Sequence, residues 1–114
     1  MDFSHISSEV LRGYVDLMLL RVLSDGDSYG YEISKRITEL SRGGFTMKET
    51  TLYSAFSRLE RLGYIRSYPG THTEGRERTY YAVTEIGGLH YRRKCLEWKL
   101  TKKLIKNFIK EEER

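Results

Sequence analysis

The sequence predicts a mainly α-helical protein with one small β-hairpin and a long helix at its C-terminal end. Three observations carry this expectation. Leu52, Phe56, Leu59 and Leu62 recur at steps of four, three and three, a single apolar stripe on a helix that Gly63 closes. Tyr64 to Tyr68 and Thr79 to Val83 read as two strands of a polar hairpin. From Leu89 to Ile109, apolar residues repeat at helical spacing among lysines and arginines. A helix with a polar outer face followed by a basic hairpin is the arrangement of a winged helix-turn-helix, so the expected architecture is that unit plus a long C-terminal dimerisation helix.

The 114 residues fit one compact unit, divided into residues 1–83 as the winged helix-turn-helix and 84–114 as the final helix. Ser8 is placed to cap a first helix beginning near Glu9. Along it Val10, Leu11, Tyr14, Val15, Met18, Leu19, Val22 and Leu23 hold helical spacing, and Leu17 and Leu20 widen the apolar arc. The arc exceeds one core face, so this helix is expected to pack on its own domain and also on a partner subunit. Asp25-Gly26-Asp27-Ser28 reads as a turn, with Ser28 or Asp27 capping a second helix to about Ser41. Its predicted inner face is Tyr31, Ile33, Ile37 and Leu40, and Lys35 and Arg36 lie outside. Ser41 to Gly44 is a flexible link, and Phe45-Thr46-Met47 is expected as a short third strand beside the hairpin.

The third helix opens at Lys48 to Thr51. Its polar face carries Thr50, Thr51, Tyr53, Ser54, Ser57, Arg58 and Arg61, side chains able to hydrogen-bond a base edge or a phosphate. Thr51, Tyr53 and Ser54 are expected to face a DNA groove, Arg58, Arg61 and Arg78 to hold phosphates, and Arg76 is a further DNA-binding candidate. Lys48 stands at a helix N-terminus, which attracts phosphate through its free N–H groups. Tyr29 and Lys35 are candidates for backbone contacts from the second helix. Pro69-Gly70 reads as the hairpin turn, and the wing loop from Pro69 to Arg76 leads to Arg78. Thr84 is expected to cap the last helix, with Glu85 in its first turn and an end near Glu111.

Four segments in order carry a resemblance: Tyr29-Gly30-Tyr31-Glu32-Ile33, Thr51-Leu52-Tyr53, Arg58 to Ile65, and Arg78-Thr79-Tyr80-Tyr81-Ala82-Val83-Thr84-Glu85-Ile86-Gly87. Together they resemble the PadR family of bacterial transcriptional regulators over about residues 9 to 110. The short C-terminal part is similar to the subfamily that includes multidrug-responsive repressors. The resemblance implies a homodimer, an operator of two half-sites in double-stranded DNA, and often a ligand that releases the DNA. Family members usually carry a second basic residue beside the position of Arg78, where this chain has Glu77, which weakens the expected grip of the wing.

Charge is unevenly placed. Residues 1–41 hold 4 basic and 7 acidic groups, net −3, residues 42–81 hold 7 and 4, net +3, and residues 90–114 hold 9 and 4, net +5. Positive charge therefore lies on the proposed recognition unit and the final helix, compatible with a nucleic-acid partner. A single cysteine, Cys95, excludes an intrachain disulfide and a multi-cysteine zinc site. No signal peptide or long apolar run is visible, so a cytoplasmic protein without a membrane partner is expected. His5, His72 and His90 stand in unlike contexts, and no acidic pair, nucleophile elbow or phosphate loop appears. Neither an enzyme nor a cofactor is expected. The alternative function is a protein-interaction module whose basic helix docks on an acidic partner.

A long helix with one apolar seam, projecting from a small domain, needs a partner. Leu96, Leu100, Leu104 and Phe108, with Leu11 and Met18 of the first helix, are the expected two-fold interface. Multidrug-responsive relatives place a drug-stacking aromatic at the position of Trp98. By that resemblance a pocket lies between Trp98 and its mate, with Val10, Tyr14 and Leu17 as walls and Cys95 one turn away. Cation-binding relatives have a carboxylate one turn after the tryptophan, where this chain has Lys102. Lys94 and Lys102 are each four residues from Trp98 and Arg21 follows Leu17 by one turn, so the expected ligand is a flat aromatic that is neutral or anionic.

Overall fold

The run from Ser8 to Ser24 forms two helices where periodicity alone gives one. In this computed structural model, which describes residues 3–71, 75 and 77–110, α1 spans Ser8–Arg12 and α2 spans Val15–Ser24. The break falls at Gly13 and Tyr14, whose N–H groups donate three residues back, to Val10 and Leu11, at 3.2 and 2.9 Å. Such tighter turns often end an α-helix. Glycine inside a helix is less stable than alanine by roughly 0.5–1 kcal/mol, which makes Gly13 the weak point of the run. Ser7, rather than Ser8, caps α1 by accepting from the Val10 N–H.

Helix α2 is the centre of the core. Leu19 and Leu20 have no exposed surface. They cluster with Ile33 and Ile37 of α3 (Gly30–Leu40) and with Leu52, Ala55, Phe56 and Leu59 of α4 (Glu49–Arg61). The expected inner face of α3 is corrected: Ile33 and Ile37 are buried, but Tyr31 and Leu40 are exposed. Tyr31 is two residues from Ile33, which turns it about 200° around the helix and away from the core.

The small sheet has three antiparallel strands, β1 (Ser28–Tyr29), β2 (Ile65–Thr71) and β3 (Glu77–Val83), in the order β1-β3-β2. The third strand is therefore Ser28–Tyr29 and not Phe45 to Met47. The Ser41 hydroxyl accepts from the Phe45 N–H at 3.0 Å and donates to its carbonyl at 3.1 Å. Phe45 is thus held by a side chain, and Met47 turns into the core. Neither Asp27 nor Ser28 caps α3, whose N-cap is Tyr29, with no side-chain cap hydrogen bond. Ser28 is buried in the strand and donates to the Glu32 carboxylate. Asp27 accepts instead from the Tyr68 hydroxyl at 2.5 Å, tying β2 to the turn after α2. Pro69 and Gly70, expected as the turn, lie within β2 opposite Thr79 and Arg78. Strand β2 is an edge strand, the place where a proline is tolerated. His72, Thr73, Glu74 and Arg76 of the expected wing loop fall outside the described residues.

Gly63, at φ +81°, ends α4 as predicted. The Tyr64 N–H donates to Leu59 and the Gly63 N–H to Glu60, the paired bonds of a Schellman motif. The Tyr64 carbonyl then receives the Thr84 N–H at 3.1 Å. A Cβ on Gly87 would lie 1.9 Å from that carbonyl oxygen, so this approach requires glycine. Thr84 caps α5 (Glu85–Lys106) as predicted, accepting from the Gly87 N–H at 3.1 Å. His90 stacks on Tyr64 at 4.0 Å between ring centroids. Helix α5 ends at Lys106, short of the expected Glu111, with Asn107, a poorer helix former, as its C-cap.

Candidate nucleic-acid interface

Helix α4 divides cleanly between inside and outside. Its buried residues, Leu52, Ala55, Phe56 and Leu59, lie on one side. At 100° per residue the opposite pole is Thr50, Ser54, Ser57 and Arg61, and all four are exposed. Lys48, its N-cap, makes no side-chain cap bond, so the N–H groups of the first turn have no side-chain partner. Thr51 and Arg58 sit on one flank of that pole and Tyr53 on the other.

Each flank is occupied by the protein itself. Arg58 pairs with Asp16 of α2, which ties α4 to the core helix and competes with the phosphate role expected for it. The Tyr53 ring meets Phe56 edge-on at 5.5 Å, and its hydroxyl leans over the start of α3. A Cβ on Gly30 would come within 2.4 Å of that hydroxyl. Tyr53 remains 46% exposed, so its ring bridges the core and the outer surface. Lys35 is exposed on α3.

The wing carries an aromatic ladder that the sequence reading did not assemble. Tyr29, Tyr80 and Tyr68 face one another across the register of β1, β3 and β2. Their ring centroids are 5.5 Å apart for Tyr29 and Tyr80, and 5.8 Å apart for Tyr68 and Tyr80. Arg66 lies over Tyr68 and Arg78 over Tyr29, each with its guanidinium carbon 5.2 Å from the ring centroid. The Arg78 Nε is buried without a hydrogen-bond partner. Period-two spacing links Arg66 to Tyr68 and Arg78 to Tyr80 in the sequence. The two-residue β1 gives no period of its own, so Tyr29 could not be joined to them. Arg76 lies outside the described residues.

The long helix presents two surfaces rather than the single expected seam. Leu96, Leu100 and Leu104 form one stripe, each more than half exposed. With Arg93, Glu97, Thr101, Lys103 and Asn107 they line a shallow groove of about 680 Å³. Trp98 and Ile105 point the other way, because two residues from Leu96 is more than half a turn. Tyr14 meets Trp98 edge-on at 5.6 Å, and the Lys102 Nζ lies 5.5 Å from the Trp98 ring centroid. Val10, Tyr14, Trp98, Thr101, Lys102, Ile105, Lys106, Asn107 and Ile109 line a groove of about 1030 Å³.

Of the expected ligand residues, Val10, Tyr14, Trp98 and Lys102 are brought together there. Leu17 is not, since it lines a separate cavity with Met18, Arg21, Ile37 and Phe45. Cys95 is half-buried and outside the groove. Lys94 turns away to Glu97 at 3.3 Å, and Arg21 pairs with Asp25 at 3.4 Å. Lys106, eight residues from Trp98 and so on its face, supplies the second groove cation that the sequence reading missed. Leu11 and Met18 are half-buried, while Phe108 lies past the end of α5 and is 78% exposed. No described helix is long and apolar enough to cross a membrane.

Comparison with known proteins places this geometry. The profile of the PadR-like transcriptional regulator family matches residues 19–93. A transcriptional regulator from Clostridium thermocellum is similar in structure, with a TM-score of 0.83 and 56% identity over 92% of this chain and 99% of the other. A PadR family transcription regulator from Clostridium difficile has a TM-score of 0.74 and 37% identity over 84% of this chain and 98% of its own. An uncharacterised protein of Lysinibacillus sphaericus is 36% identical over 91% of this chain and 95% of its own length.

Proposed function

This chain belongs to the PadR-like family of DNA-binding transcriptional regulators, and we propose that it is a homodimeric, ligand-responsive repressor. Helix α4 enters the major groove, Thr50, Ser54 and Ser57 meet base edges, and Lys48 and Arg61 meet phosphates. The observation that carries the reading is the outer pole of α4, polar and exposed along its whole length while the opposite side is sealed. Thr51 and Tyr53 contribute from the flanks. The wing sets the Arg78 guanidinium, stacked over Tyr29, against the DNA backbone. Arg58 is held to Asp16 in the free protein and reaches a phosphate only by giving up that pair.

Dimerisation covers the Leu96, Leu100 and Leu104 stripe, aided by Leu11, Met18 and Phe108 at its margins. The effector binds the groove beside Trp98. Among the described residues its charged lining is Lys102 and Lys106, so a flat aromatic that is neutral or anionic fits better than a cationic dye.

Selection of bound fragments from the source genome tests the reading, with salt dependence measured on the recovered sequence. A recurrent two-half-site sequence and a steep linear fall of log affinity with log salt are expected. A shallow slope without a preferred sequence would instead favour docking on an acidic protein. For the effector, aromatic carboxylates are expected to quench Trp98 fluorescence and weaken DNA binding. Tight quenching by cationic dyes alone would overturn the charge argument.

A further inference from the structure

We propose that a cleft beside α4, walled by Arg12 of α1, Thr51 and Ser54 of α4 and Lys94 of α5, holds a backbone phosphate of bound DNA. The proposal rests on the DNA-binding reading and adds to it a contact from outside the helix-turn-helix and the wing. The cleft measures about 670 Å³, ample for a phosphodiester, and Arg12, Asp16, Arg58 and Lys94 are its charged lining residues. Asp16 is already neutralised by Arg58. What remains is two positive groups facing three hydroxyls, those of Thr50, Thr51 and Ser54. Cations and hydroxyl donors around a concavity are the elements of phosphate recognition.

Neither cation is held by a strong internal pair. Arg12 is exposed at the end of α1 and makes no ion pair among the described residues. Lys94 reaches Glu97 at 3.3 Å, but the Glu97 side chain is 65% exposed. A surface pair of that kind is worth little and yields to a phosphate. Position argues for DNA rather than for a free anion. Thr50 and Ser54 belong both to the cleft rim and to the outer pole of α4, so a phosphate here lies beside the bases that the helix reads. The break at Gly13 completes the arrangement, because it is the corner between α1 and α2 that brings Arg12 over the flank of α4.

The test is the salt dependence of duplex binding by Arg12→Gln and Lys94→Gln. Each variant is expected to lower the slope of log affinity against log salt by about one, on operator and random duplex alike. At low salt the loss is expected to be roughly tenfold. Arg92→Gln, which removes the same charge from α5 outside the cleft, should leave the slope unchanged. Arg12 is exposed and the Lys94 side chain is 29% exposed, so melting temperatures near native are expected and separate a lost contact from a lost fold. Native slopes in both variants, with the parent protein still binding duplex, would overturn the cleft and leave the DNA reading standing. Failure of the parent to bind any duplex would remove the premise itself. A third arm titrates inorganic phosphate without DNA, followed by amide NMR. Saturation below about 1 mM that needs Arg12, beside an unchanged DNA slope, would mark a free-phosphate site and overturn the assignment to DNA.

Discussion

Helices α4 and α5 are both amphipathic on paper, yet only α4 has its apolar side covered by the rest of the chain. In α4, Leu52, Ala55, Phe56 and Leu59 are buried. Helix α5 is 22 residues long, and among its residues only Gly87 is buried. The difference separates two jobs that hydrophobic periodicity alone cannot tell apart. A helix that completes its own core has a polar face free for a ligand. A helix that leaves leucines open on one side and an aromatic on the other has surfaces that only other molecules can fill. Burying a leucine is worth about 1.5–3 kcal/mol, so a two-fold contact along Leu96, Leu100 and Leu104 of both copies offers a substantial driving force.

The sharpest way to break this contrast is to empty the core under α4. Phe56→Ala is expected to cost about 3–5 kcal/mol of folding stability, read by denaturant unfolding, and to do so at any protein concentration. The matching change on the other helix is Leu104→Asp. It should leave the fold of the head intact by circular dichroism while producing monomers. Operator affinity should then fall on the order of a hundredfold, because the two heads lose their link. A Leu104→Asp protein that unfolds in step with Phe56→Ala would place α5 in the same core as α4 and erase the distinction.

Smaller changes probe the polar side. Tyr53→Phe is expected to weaken operator binding by about 1 kcal/mol if its hydroxyl makes one net bond to DNA, with no loss of folding stability. Equal affinity in a titration would assign the ring to packing against Phe56 and Gly30 alone. The smallest effect concerns the junction. Burial on Tyr64, followed by the charge of Lys94, lowers the pKa of His90 below its ordinary value, while Asp16 and Glu97 oppose this. The unfolded chain therefore takes up a proton at His90 more readily than the folded one. The contribution is present above about pH 6.5 and is lost as pH falls through the lowered folded value. His90→Phe, which keeps a ring over Tyr64, should show a smaller drop in melting temperature between pH 7.5 and 5.5 than the parent. An identical drop would remove His90 from the account.

What the sequence made legible follows from the range of the forces involved. The stripe of α4, its Gly63 stop and the Thr84 cap with Glu85 depend on neighbours within a turn or two, and each was readable. The break after Arg12 hinges on one glycine in an otherwise regular run. Strand β1 is two residues long, too short for a period, and it is recognisable only through its pairing with Tyr80 and Tyr81 of β3. Phe45 was lost to strand pairing through one hydroxyl, that of Ser41. The site shows the same division. The outer pole of α4 could be listed from helical spacing. The Arg58–Asp16 pair, between residues 42 positions apart, could not. Leu96 and Trp98 fall into one seam on spacing alone, because both fit helical spacing with later apolar residues. Only the packing of Tyr14 on Trp98 shows which face is which.

Sedimentation equilibrium of the unaltered protein, alone and with an operator duplex, reads directly whether α5 joins two copies and α4 of each meets DNA. A dimer at micromolar concentration is expected through the open face of α5, and one dimer per duplex through the two copies of α4. A protein that stays monomeric at that concentration, free and bound, would contradict it.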